Sequence, residues 1–158
     1  SNRQTFDVVA DLLDIGIDKD KIYDKVNDNY SADRMKLMGY CLQEKMVVLP
    51  EYKAAYISLS QEEMKRFNFK VGDSEGFVNI PLSIKGIIFA VLFSEREDVV
   101  KVSLRSKGSF AVNKIAGEYF SGGGHANASG GESKQSLEET IKTFIELLPK
   151  YKDELDNA

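Results

Sequence analysis

Between Gly86 and Phe93 the chain reads Gly-Ile-Ile-Phe-Ala-Val-Leu-Phe, with no polar side chain and no alternation. A strand of this kind must be covered on both faces, which demands a sheet held between two layers and places this segment in its middle. As a membrane span, Ile87 to Phe93 is far too short. Its neighbours carry a different pattern. Ala54 to Leu59 alternates as a half-buried strand does, and so does Val99 to Arg105, where Val100, Val102 and Leu104 share one side. Lys101, Ser103 and Arg105 then fall on the other side, a basic and hydroxyl-bearing row that ends at Arg105. The short charged stretch Ser94 to Asp98 joins the two runs, so they read as an antiparallel hairpin.

Helical spacing surrounds this centre. Phe6, Val9, Ala10 and Leu13 predict a first helix that Gly16 interrupts. Asp18 is placed to cap a second helix through Val26, and Ser31 a third reaching about Met46, with Met35, Met38, Leu42 and Met46 along one face. Pro50 ends this helical region. Ser60-Gln61-Glu62-Glu63 is a capping box for a helix through Phe67, a turn follows at Val71-Gly72-Asp73, and Ser74 is the expected cap of another short helix. Lys107-Gly108-Ser109 turns the chain into a helix with Val112, Ile115, Ala116 and Tyr119 inward. A second capping box, Ser136 to Glu139, opens a helix with Ile141, Phe144, Ile145 and Leu148 inward, until Pro149. The expected fold is α/β: a mixed sheet of about four to five strands with helices packed on it. A helical linker over residues 1–50 precedes the domain at 51–150, and 151–158 reads as a frayed tail.

Composition narrows the chemistry. The net charge of -4 argues against a long nucleic-acid track, which needs many Lys and Arg, and leaves room for a small ligand at a local positive spot. One Cys and one His rule out an internal disulfide and a zinc site built from the usual ligands. Cys41, between Met38 and Leu42, reads as a small buried hydrophobe. Residues 1–10 lack the features of a signal peptide, so the expectation is a cytoplasmic protein with no membrane segment.

The stretch from Ser121 to Gly131 holds five of the twelve glycines and the only histidine, His125. Three successive glycines let backbone N–H groups approach a ligand that side chains would exclude, and anions suit such a loop. No Gly-Lys-Ser/Thr follows, so it is not a Walker loop, and it lacks the Gly-x-Gly-x-x-Gly of dinucleotide folds.

Gly122-Gly123-Gly124-His125-x-x-Ala128-x-Gly130 resembles the GGGHxxAxG motif of the DHH-associated domain, the C-terminal half of DHH-family phosphoesterases. Val102 to Ser106, about fifteen residues earlier, is similar to the strand motif of the same domain. The resemblance covers about Ala54 to Pro149 and points to the nanoRNase branch, which also removes the 3'-phosphate of phosphoadenosine phosphate. It implies that an N-terminal DHH half, in cis, holds manganese and activates water, whereas this half has no cofactor and holds the substrate: short RNA or a mononucleotide or dinucleotide phosphate. It further implies that Arg105 binds a phosphate, that His125 adds a hydrogen bond, that the amides of Gly122, Gly123, Gly124 and Ala126 donate, and that Ser106, Asn127 and Ser129 assist. On this reading the chain alone is inactive. Ala126 is a departure, since members often carry a basic residue there, and this bears on the grip on an extra phosphate. Cyclic dinucleotide hydrolysis, exopolyphosphatase or RecJ-like activity, and a stand-alone nucleotide- or RNA-binding module remain open alternatives, as does a homodimer.

Overall fold

The computed structural model describes residues 2–27 and 29–158; Ser1 and Asp28, counted above with the linker, lie outside the described residues. The chain divides at Ala32 into two units. In the first, α1 (Arg3–Asp14) is capped by Asn2, whose side chain accepts from the Thr5 N–H at 3.0 Å. Asp18 accepts from the Lys21 N–H at 3.1 Å ahead of α2 (Lys19–Asn27), and that bond holds its carboxyl below the usual range. α1 buries no residue, and Phe6, Val8, Val9, Leu12 and Leu13 are all exposed.

The second unit is built on a six-stranded mixed sheet, rather than four to five, in the order β1-β2-β3-β4-β6-β5. Its strands are β1 (Met46–Leu49), β2 (Ala54–Leu59), β3 (Phe89–Glu95), β4 (Val100–Ser106), β5 (Gly123–His125) and β6 (Ala128–Ser133). Only the β2–β3 pair is parallel; the other four pairings are antiparallel. As its sequence requires, β3 is central and forms the expected hairpin with β4. The parallel pair needs a long crossover, which runs through α4 (Gln61–Arg66) and a 3-10 segment, Phe77–Ser83.

Two apolar layers close on the sheet. On the first face, Phe89, Val91 and Phe93 of β3 and Val100, Val102 and Leu104 of β4 pack with α5 (Val112–Tyr119), α6 (Leu137–Leu147) and α7 (Lys152–Asp156). Phe144 of α6 is the hub, with ring centroids 5.6 to 5.8 Å from Tyr56, Phe89 and Phe93 in edge-on geometry. On the second face, Ile57, Leu59, Ala90 and Leu92 meet Leu37 and Cys41 from the α3 region, Met64 of α4, and Phe77 and Val78.

Several expectations are corrected. The third helix reaches about its expected end, but its last part is not α: α3 (Ala32–Tyr40) continues as a π-helix, Cys41–Lys45, and passes directly into β1, which the sequence did not predict. Its buried line is Leu37 and Cys41; Met38, Leu42 and Met46 of the expected face pack at the edge of that layer, and Met35 alone of the four is exposed. Burial pushes the Cys41 thiol up to about 12, in keeping with an inert packed residue. The 3-10 segment starts after Gly76, and Phe77 N–H bonds to the Ser74 carbonyl at 3.1 Å; the Ser74 hydroxyl caps nothing. In α6, Thr140 and Leu147 are buried and Ile145 is exposed. The frayed tail is α7, fastened by fully buried Leu155 and by Lys152 Nζ donating to the Glu51 carbonyl at 3.0 Å.

Both capping boxes form. That of α4 is extended, because Glu63 also accepts from Tyr40 Oη at 2.7 Å and pairs with Lys45 Nζ at 2.7 Å. Burial pushes the Glu63 carboxyl up, but the bonds from Lys45, the Ser60 N–H and Tyr40 together outweigh it and hold the group below its ordinary value of 4.5. Folding therefore favours the charged form, so this stabilisation is complete above pH 4.5 and is lost as pH falls through the lowered folded value. Urea-denaturation midpoints should decline below that pH. Glu63→Gln should flatten the decline while lowering stability at neutral pH by about 1–3 kcal/mol. Phe144→Ala should cost about 3–5 kcal/mol in the same assay.

Candidate functional site

The glycine stretch, expected as a loop, is a β-hairpin. Gly123, Gly124 and His125 of β5 pair with Gly130, Ser129 and Ala128 of β6, and β6 pairs in turn with β4. Its turn is clamped from behind: the Ala126 carbonyl accepts from Val112 N–H at 2.7 Å and the Asn127 carbonyl from Ser106 N–H at 3.1 Å.

Residues directly opposite one another across strands lie on the same face of a sheet. One row therefore runs His125, Ala128, Arg105, Ala90, and the next runs Gly123, Gly130, Ser103, Leu92. Ala90 and Leu92 belong to the second apolar layer. That layer ends near β4, so His125, Gly123 and Gly130 are exposed and Arg105 is half-buried on an open shelf. His125 and Arg105 stand two strand spacings apart, roughly 10 Å between backbones. Ala128 and Gly130, between them, keep the floor low.

Arg105 is held by one nitrogen. Its Nη1 donates to the carbonyls of Leu104 at 2.8 Å and Ser129 at 3.3 Å, and its Nε and Nη2 have no partner among the described residues. No carboxylate among them lies within ion-pair distance of it, unlike Lys101, which meets Glu132 at 3.3 Å. A guanidinium fixed on one corner presents its Nε/Nη2 edge as a two-pronged donor that fits phosphate or carboxylate. The His125 imidazole has no hydrogen-bond partner among the described residues and faces the same shelf.

The remaining expected residues hold the scaffold. Ser106 is 8% exposed, and its hydroxyl donates to the Phe110 carbonyl while accepting from Asn127 Nδ2 at 2.9 Å. Asn127 Nδ2 also reaches the carbonyls of Gly108 at 3.2 Å and Phe110 at 3.3 Å. Ser129 is 4% exposed and donates to the His125 carbonyl at 2.7 Å. Gly122 donates its N–H to Ala116 at 2.9 Å, the end of α5, so that amide is already occupied. Arg105, Gly123 and His125 are thus brought together on the shelf, while Ser106, Asn127, Ser129 and Gly122 fasten the hairpin behind it. Ala128 and Gly130 were not singled out as site residues; treating 123–133 as two alternating strands would have put them on the same side as Arg105. Among the described residues no group of three or more His, Cys, Asp or Glu side chains could hold a metal ion.

The glycines differ in kind. A Cβ on Gly122 would lie 2.0 Å from the Gly130 carbonyl oxygen, and one on Gly124, whose φ is +141°, would lie 2.7 Å from that of Ala128. A Cβ on Gly123 would meet nothing within 4 Å, and its φ is not in the left-handed region. Gly122→Ala should therefore destabilise by about 3 kcal/mol or more, since backbone must move. Gly123→Ala should stay within about 0.5 kcal/mol of the parent in the same denaturation assay.

Comparison with known proteins agrees with this architecture. The chain is 27% identical over 147 residues to the bifunctional oligoribonuclease and PAP phosphatase of Bacillus subtilis, covering 93% of this chain and 45% of that protein. It is 30% identical over 145 residues to a Streptococcus mutans protein named as a probable bifunctional oligoribonuclease and PAP phosphatase, covering 91% and 45%. The chain thus spans less than half the length of these curated relatives. Among solved structures, an exopolyphosphatase-related protein from Bacteroides fragilis superposes with a TM-score of 0.95 at 49% identity, covering 99% of this chain and 46% of that one. The DHHA1 domain profile matches residues 51–152, which contain β2 to β6, the shelf and the glycine hairpin, and the chain belongs to the DHHA1 domain family.

Proposed function

We propose that this chain is the substrate-holding part of a DHH-family phosphoesterase that hydrolyses short oligoribonucleotides, 3'-phosphoadenosine 5'-phosphate, or both. The observation that carries the reading is the unpaired Nε/Nη2 edge of Arg105, on one open face with exposed Gly123 and His125. A terminal phosphate sits against the Arg105 fork, and His125 donates to or accepts from the same group. Gly123, whose missing side chain the fold does not require, lets the ligand lie against the backbone of β5. The names and lengths of the two curated relatives support the substrate class and a division of labour.

In that division, manganese and the attacking water belong to the DHH half, and closure of the two halves completes the active site. The exposed apolar stripe of α1 is a face suited to packing in that larger protein. A second reading, polyphosphate as substrate, is favoured by the name of the Bacteroides fragilis structural relative.

Titration of the isotope-labelled chain with 3'-phosphoadenosine 5'-phosphate, a diribonucleotide, a cyclic dinucleotide and tripolyphosphate separates these readings. Amide signals of Arg105 and of residues 122–129 should move with one of the two nucleotide ligands named first. Arg105→Ala should weaken that binding by about tenfold or more, and Arg105→Lys should not restore it, because an ammonium lacks the fork. Gly123→Ala should weaken binding with little change in stability. Tripolyphosphate as the sole effective ligand would transfer the assignment to the second reading, and silence from all four at millimolar concentration would remove the shelf as a phosphate site. With manganese added, the chain by itself should leave the ligand uncleaved.

A further inference from the structure

Beside the shelf the second face of the sheet falls into a groove of about 290 Å³, walled by the turn from Gly72 to Gly76 and floored by β3 and β4. Arg105 stands at one end. Ser103 and Lys101 follow it along β4 at two-residue steps of about 6.7 Å, with Ser94 of β3 directly opposite Lys101. Ser94 is only 4% exposed, yet its hydroxyl has no hydrogen-bond partner among the described residues and lines the groove. The hydroxyls of Ser103 and Ser74, which line it too, are likewise without partners among those residues. No buried side-chain polar atom among the described residues lacks a partner, so these three hydroxyls reach solvent and are open to a ligand that enters the groove.

We propose that this groove is the subsite for the second nucleotide of a short oligoribonucleotide, whose sugar–phosphate chain runs along β4 from Arg105 toward Lys101. This rests on the reading of the shelf as the terminal phosphate site. The step between alternate β4 residues is of the order of the spacing between successive phosphates in an extended chain. The next phosphate therefore lies over Ser103, within reach of Ser94 and Lys101. Lys101 is free to turn to it, since its pairing with Glu132 joins two side chains that are more than half exposed, and such a pair is weak. Leu92 and Val78 give the groove an apolar side against which a ribose or base can rest. Glu75, the acid in the lining, would repel a polyphosphate but accepts hydrogen bonds from ribose hydroxyls.

The test compares a ligand that ends at the shelf with one that enters the groove: 3'-phosphoadenosine 5'-phosphate and 5'-phosphorylated triadenylate, each titrated into the chain by calorimetry. In the combined Ser94→Ala, Lys101→Ala variant, the Kd for the trinucleotide should rise by about tenfold and that for the mononucleotide by less than about threefold. Independently of any variant, the trinucleotide alone should shift the amide signals of Gly72 to Gly76, Ser94 and Ser103 in the unsubstituted chain. Equal effects on both ligands, or none on either while Arg105→Ala still weakens both, would overturn the subsite and leave the proposed function standing. If Arg105→Ala is also without effect, both readings fall.

Discussion

Phe89, Val91 and Phe93 on one side of β3, and Ala90 and Leu92 on the other, leave that strand no solvated face, so a layer must close on each side. The two layers are unequal. The first face carries the large aromatic side chains and is sealed by α5, α6 and α7 around Phe144. The second carries smaller residues at β3 and is covered by the α3 region, α4 and the 3-10 segment, which together do not reach β6 and β5. An uncovered portion of sheet is the result, and the side chains on it are Arg105, Ser103, Lys101 and His125, separated by Ala128 and Gly130. The shelf is a consequence of where the second layer ends.

Holding Arg105 and His125 at a fixed separation falls to backbone contacts behind the shelf. Gly122 lies so close to Gly130 that no side chain fits between them, and the Gly122 N–H is bonded to the end of α5. Asn127 and Ser106 join the hairpin turn to the segment before α5 through four side-chain hydrogen bonds. A ligand site placed on hydrogen-bonded strands and fastened in this way needs little reorganisation on binding, which favours affinity. Two functions are therefore mixed within one glycine run, and they are separable only by what each missing Cβ would touch.

Much of the fold was legible because it is written in local patterns: the apolar run of β3, the alternation of β2 and β4, and both Ser-x-x-Glu capping boxes. What was misread depended on distant partners. Met46 to Leu49 continues a helical apolar pattern and becomes a strand because β2 offers it an open edge, with the π-helix absorbing the change of direction. The last eight residues look polar enough to fray, yet Leu155 fills the first apolar layer and Lys152 reaches back to Glu51. Around the site, Arg105 and the glycine–histidine run were visible in the sequence, but their arrangement as cross-strand neighbours was not, because the hairpin at 123–133 has few β-forming residues to announce it.

Sequence by itself determined that β3 is central, that β4 carries a polar row ending at Arg105, and that a stretch of backbone bare of side chains lies beside His125, since each follows from side-chain chemistry at short spacing. Which of the candidate residues face solvent was decided only by tertiary structure. Ser106 and Ser129 are turned inward and Gly122 is clamped, while Ser94, read from the sequence as the start of a connection, belongs to β3 and is left with an open hydroxyl in a groove. Burial and hydrogen-bond satisfaction are properties of what lies across the sheet. No local pattern encodes the distance at which the second layer stops.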